Sequence, residues 1–316
     1  MPRQAHAGYI GWRKQGQKPM RSRSTVADLR RVYLSVAIAV SCALGIGSGL
    51  HANPAFAAGK APTKEKPKTA SKDTSHAELG DLEKKLSGDE DEAIAALSTV
   101  AETGNADAAP LIGALLERGS SPKVIDQALK TAAKLKAESL SPAIAPYVQH
   151  RVEDIRRAAV RALLKTKGPS AVQALRIALK SSDAVVRGTA ATGLGALGAK
   201  DSLPDLFRAF DHGIAEAGAS IGQLCTPEQC ETFSERTGKV AFDIMATGFD
   251  QILFRPPNDV PDGEKIRLVG RMRELGTPEV GKYLADVGER WPKDWSNKVK
   301  QAIDSAARAI GAGARK

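Results

Sequence analysis

From Asp89 onward the apolar residues of this chain return at helical spacing, and a two-helix pattern as a whole returns after roughly 30 residues. In the first helix of each unit the anchors are Ala93, Ala96, Leu97 and Val100, then Ile125, Ala128, Leu129 and Ala132, then Ile155, Ala158, Ala159 and Ala162, then Val186, Ala190 and Leu194. Successive starts lie 32, 30 and 31 residues apart. In the second helix the anchors are Leu111 and Leu115, Ile144 and Val148, Leu175 and Leu179, Leu206 and Phe210, separated by 33, 31 and 31 residues. One such pair cannot bury its apolar face alone, so the units must stack. Ala and Gly in the first helices let backbones approach, while Leu, Ile and Phe of the second fill the space between layers. Gly104, Gly168 and Gly198 fall between paired helices, where a left-handed residue ends the first; Pro110, Pro142, Pro169 and Pro204 sit at helix starts, where a missing N–H costs nothing. Aromatics make up 4% of the chain, which suits closely packed helices better than a β-sandwich.

The pattern breaks after Gly213. Ile214 to Leu224 is a further small-residue helix, but Cys225 to Cys230 and Phe242 to Pro257 do not fit a unit, and residues 214–264 read as a degenerate repeat or insert. The beat resumes over Lys265 to Val287, where Gly276-Thr277-Pro278 makes the same helix junction, and a last helix opens at Ser296. The expected partition is repeats over 75–213, the insert over 214–264, and C-terminal helices with a cap over 265–316.

Two stretches carry a resemblance. Asp154-Ile155-Arg156-Arg157-Ala158-Ala159 and Asp183-Ala184-Val185-Val186-Arg187, each leading to a Gly-ended helix, resemble HEAT repeats of the short, phycobilisome-lyase type, and the likeness covers about Asp89 to Gly213. It implies an all-α, right-handed solenoid of helical hairpins. It also implies that Asp154 and Asp183 cap first helices and that Arg156 and Arg187 lie near the stacking face in structural roles. The rival reading of the two arginines is a ligand-binding row. The first two units match less well, since Asp91 and Pro122 occupy their turns and Lys123 replaces the Arg.

The N-terminus has the layout of a secretory signal: Arg21, Arg23, Arg30 and Arg31, the apolar run Val32 to Leu50, and Ala55-Phe56-Ala57 where signal peptidase needs small side chains. Cleavage is expected after Ala57, releasing the chain to the periplasm or the exterior; an uncleaved anchor and lipid attachment at Cys42 are the rival readings. Met20 is an alternative start to Met1. Residues 1–57 hold eight Lys or Arg and one acid, so the remainder carries 38 basic and 35 acidic side chains, a net of +3. The net charge of +10 for the whole chain is therefore mostly a property of the signal, and nucleic acid is not the expected partner. Residues 58–74, rich in Lys, Pro, Thr and Ser without apolar periodicity, read as a flexible linker.

Chemistry-bearing clusters are sparse. Cys225 and Cys230, with four residues between them, stand at a helix end, and in an oxidising compartment they read as a disulfide. A zinc site would need two more ligands, and His76, His150 and His212 lie far apart in sequence. No phosphate loop or Gly-x-Ser-x-Gly elbow occurs. No repeated His-Glu pairs suit a di-iron hydroxylase, and export argues against a cytosolic pigment as the substrate of a lyase-like enzyme. No metal, cofactor, catalytic residue or small-molecule substrate is expected. The aromatics gather in the C-terminal third, mainly as core; Phe254, Arg255, Trp291 and Trp295 are the candidate partner-binding residues, because Trp and Arg are enriched at binding hot spots. The expected function is an exported, non-catalytic protein-binding scaffold or adaptor, with an envelope-tethered structural protein as the first alternative and a lyase-like enzyme as the second.

Overall fold

Helix starts and stops follow local chemistry across the residues that the computed structural model describes, the backbone of 71–313 and the side chains of 77–313. The expected signal peptide and nearly all of the expected linker lie outside the described residues; helix α1, Ser71–Leu86, already includes the linker's last four residues. Helix α2, Glu90–Thr103, begins on Asp89, whose carboxylate accepts from the Glu92 N–H at 2.8 Å, and ends at Gly104, held at φ 67°. Pro110 stands in the first turn of α3, Ala109–Arg118, and Ser121 caps α4, Pro122–Leu135.

The second helix of the next unit is broken. Pro142 and Pro146 stand four apart, so Pro146 has no N–H for the Pro142 carbonyl and its ring crowds that carbonyl. The chain runs there as a 3-10 turn over 138–140, the short α5, Ser141–Ile144, and a 3-10 segment over 145–149. Tyr147 fastens it by donating to the Leu116 carbonyl at 2.5 Å. Regular hairpins follow: α6, Glu153–Thr166, with α7, Gly168–Ala178, then α8, Ala184–Ala196, with α9, Leu203–Asp211.

First helices α2, α4, α6 and α8 pack successively on one another, with second helices alongside. Every anchor read from the sequence is buried except Leu111, which is half-buried. Buried hydroxyls tie neighbouring first helices: Thr131 of α4 donates to the Leu97 carbonyl of α2 at 3.0 Å. An ion pair, Arg157 with Asp183 at 2.7 Å, crosses from α6 to the cap of α8.

Residues 214–264, expected as a degenerate repeat or insert, carry the stack onward. Helix α10, Glu216–Leu224, packs on α8, and α12, Phe242–Leu253, packs on α10, with α11, Pro227–Ser234, between them in sequence. Helices α13, Asp262–Leu275, α14, Pro278–Arg290, and α15, Asn297–Gly313, complete it. First helices α8, α10, α12 and α14 begin at residues 184, 216, 242 and 278, so the beat is lost while the alternation persists. Glycine makes this part of the stack. A Cβ placed on Gly248 of α12 would stand 2.7 Å from the Gly218 carbonyl oxygen of α10 and 2.6 Å from the Phe233 ring. Ser220 of α10 donates to the Ala191 carbonyl of α8 at 2.8 Å. Phe233 lies 5.2 Å from Phe210 and 5.6 Å from Phe249 between ring centroids, joining α9, α11 and α12. One apolar core runs unbroken from Leu86 to Ile310. Among the described residues there is no strand, only an isolated bridge between Thr237 and Val240. No described helix is long and apolar enough to cross a membrane.

Candidate functional site

A cleft of about 540 Å³ opens where three consecutive units meet, and a second of about 450 Å³ continues it past the next turn; Arg176, Lys180 and Asp205 line both. The residues come from short segments. His150 and Arg151 precede α6, Arg156 lies in its first turn, Arg176 and Ile177 belong to α7, Lys180 to Ser182 form the turn before α8, and Arg187 lies in the first turn of α8. Asp205, Arg208 and His212 close the far side from α9 and the residue after it.

The arrangement is built by repetition. Arg156 donates from Nη1 to the carbonyls of His150 and Arg151 at 2.9 and 3.1 Å, six and five residues earlier. Arg187 does the same to Ser181 and Ser182 at 2.7 and 3.0 Å. Each guanidinium thus ties down the turn between two units and carries its charge to the cleft wall. Asp205 is the single acid among the lining residues, and it is spent on Arg176 at 2.6 Å and Arg208 at 2.5 Å. Arg151, Arg156, Lys180 and Arg187 form no ion pair among the described residues, and Nε of Arg156 is buried without a hydrogen-bond partner. The wall is cationic with one aliphatic step, since Ile177 is 40% exposed.

The four candidate partner-binding residues meet elsewhere, at the C-terminal end of the stack. Trp291 is buried, with Phe254 5.9 Å and Trp295 5.4 Å from it between centroids. Arg255 faces inward and donates to the Cys225 carbonyl at 2.6 Å. Lys265 is fully buried beneath these groups, 4.4 Å from the Trp295 ring, and donates to the Arg255 carbonyl at 2.5 Å. Burial, with Arg255 adding to it and Asp262 opposing it, lowers the Lys265 pKa to about 8. Cys225 and Cys230 are joined in a disulfide whose sulfurs are buried. The indoles, guanidinium and disulfide therefore serve one another more than the surface, and Tyr283 Oη and Trp291 Nε1 are buried without partners nearby in the fold.

Of the two aspartates assigned to caps, Asp183 caps α8, accepting from the Val185 N–H at 2.8 Å. Asp154 does not cap: Val152 occupies the cap position of α6 without a side-chain bond, and Asp154 is exposed in the first turn. The reason is a one-step difference in entry, since Glu153 already begins the helix whereas Ala184 follows Asp183 directly. Sequence reasoning missed the cleft. Its signal is the presence of a basic residue, Arg151 or Lys180, in each of two successive inter-unit turns. Among the described residues no group of His, Cys, Asp and Glu could hold a metal ion.

A family model described as HEAT repeats matches residues 109–182 and 141–220, a span that contains the whole cleft. No curated protein matches the chain. Similar solved structures include the complex of CpcE and CpcF of phycocyanin lyase from Nostoc sp. PCC7120, 15% identical, covering 79% of this chain and 99% of that one, with a TM-score of 0.39. An engineered protein is 14% identical over 75% of this chain and 69% of its own, with a TM-score of 0.45. A designed armadillo repeat protein in complex with the peptide (KR)4 is 12% identical over 77% and 95%, with a TM-score of 0.30.

Proposed function

We propose that this chain, a HEAT-repeat protein, is an exported, non-catalytic scaffold that binds another protein through the stacked repeats. The observation that carries the reading is the cleft where three consecutive units meet: four cations without an ion pair among the described residues, two of which, Arg156 and Arg187, are held by repeated backbone ties. A solenoid offers a long continuous face whose rigidity comes from neighbour-to-neighbour stacking, so a partner meets a preformed surface and little ordering is required on binding. The residues along that face lack the pairing that catalysis needs: His150 and His212 lie at opposite ends of it, and its one carboxylate is held by two arginines. Export rests on the signal layout of residues 1–57. The C-terminal aromatic cluster is assigned to stability of the stack's end, because its members pack on one another around Lys265.

The test is a pull-down with residues 58–316 as bait from the envelope fraction of the source organism, with cross-linking read by mass spectrometry. A stoichiometric protein partner cross-linked within 109–220 is the expected result. A copurifying chromophore or metal without a protein partner would move the assignment to an enzyme. Recovery of the chain only in the membrane pellet after detergent-free lysis would favour the tethered structural role.

A further inference from the structure

Arg156 and Arg187 occupy the same place in successive units, each bonded through Nη1 to two carbonyls of the preceding turn. Packed helices lie about 8–10 Å apart, and three residues of extended chain cover roughly 10 Å. A strand laid along the cleft therefore meets one arginine with every third residue. Arg151 and Lys180 add one further cation in each of the two turns, both exposed and without an ion pair among the described residues.

Between these cations the wall is aliphatic. Ile177 is 40% exposed, one of three large hydrophobic side chains exposed among the described residues, and Leu179 and Ile214 line the continuation. A phosphate, a sulfated sugar or a nucleic-acid backbone would answer the charge and leave Ile177 bare to water. A peptide answers both.

We propose that this cleft binds an extended acidic peptide segment of the partner, with a carboxylate at every third residue and aliphatic side chains between. Arg151, Arg156, Lys180 and Arg187 receive the carboxylates, and Ile177 receives an aliphatic side chain. The proposal rests on the scaffold reading and specifies what the scaffold holds. Arginine suits the task, since its several donors let Nη2 meet a carboxylate while Nη1 stays on the turn.

Fluorescence anisotropy of the purified chain with a labelled nonapeptide of three Glu-Leu-Ala triplets tests it, with the Lys-Leu-Ala counterpart, a heparin-derived oligosaccharide and an oligothymidylate as comparison probes. The acidic peptide is expected to bind, more weakly as salt rises, and the lysine peptide is expected not to. The double variant Arg151→Glu/Lys180→Glu, which removes no bond within the protein, should lose at least ten-fold in affinity with its helical circular dichroism unchanged; Lys298→Glu, at the far end, should bind as the parent does. Equal binding of both peptides, no binding, unchanged affinity of the double variant, or tighter binding of the oligosaccharide or oligothymidylate would overturn the proposal. Failure here with a partner still recovered and cross-linked to another face removes the peptide proposal alone; failure of both removes the scaffold reading.

Discussion

Gly248→Ala and Gly270→Ala are the same chemical change in the middle of two helices, and the structure assigns them opposite signs. In a helix interior, replacing Gly by Ala contributes about 1 kcal/mol of stability from backbone conformational entropy. Gly270 of α13 has nothing within 4 Å of a new Cβ, so that gain stands alone. At Gly248 the Cβ would stand 2.7 Å from the Gly218 carbonyl oxygen and 2.6 Å from the Phe233 ring, against 3.4 Å or more in ordinary contact. Neither neighbour can swing aside: one is the backbone of α10, and the other is a fully buried ring in contact with Phe210 and Phe249. Helices α10 and α12 must then separate by several tenths of an ångström. Overpacking of this kind costs about 1–3 kcal/mol, and with two rigid obstacles the upper end applies, leaving a net loss of about 2 kcal/mol after the gain in propensity. For a unit of this size each kcal/mol moves Tm by about 2–4 °C. Differential scanning calorimetry should therefore find Gly248→Ala lower by about 4–8 °C and Gly270→Ala higher by about 2–4 °C. If both variants melt higher than the parent, the close approach of α10 and α12 is wrong.

Three further expectations follow from single sites. Asp183→Ala removes both a cap and the partner of Arg157, and should lower stability in urea by about 2 kcal/mol, whereas Asp154→Ala, which removes no cap, should shift it by less than about 0.5 kcal/mol. Because the folded-state pKa of Lys265 lies near 8 against an ordinary 10.5, the unfolded chain binds the extra proton between those values; stability should rise over that window by up to about 3 kcal/mol, and Lys265→Met should flatten the rise in pH-dependent denaturation curves. Replacing Cys225 and Cys230 together by Ala opens a short loop and should cost about 2 kcal/mol by chain entropy. In the parent, alkylation after mild thiol treatment should proceed no faster than unfolding, since both sulfurs are buried.

The regular part of the stack was legible because its contacts are made by side chains. Ala128, Leu129 and Ala132, or Ala158, Ala159 and Ala162, repeat at helical spacing and bury as their pattern requires. The same reasoning stalls over 214–264. There the joint between first helices is made by Gly218, Gly222 and Gly248, where one backbone touches another, and a pattern built on apolar side chains gives such residues no weight. The candidate site divides similarly. Arg156 and Arg187 were readable as structural members of a repeat, but their second role depends on Arg151, Lys180 and Ile177 reaching the same space from other segments. The aromatic residues were found by type, yet the ring contacts and the buried Lys265 that occupy them depend on the packing of α12 to α15.

The two indoles of the described residues, Trp291 and Trp295, sit together at one terminus of the stack, against a buried ammonium. Emission from this pair reports the last hairpins, whereas far-ultraviolet dichroism averages over every helix. The protein thus contains an optical gauge at one end of a nearly one-dimensional array, in which each unit is stabilised mainly by its neighbours. Comparing the two signals during denaturation distinguishes an array that melts as a whole from one that unzips, and shows whether the C-terminal hairpins are the first or the last to let go.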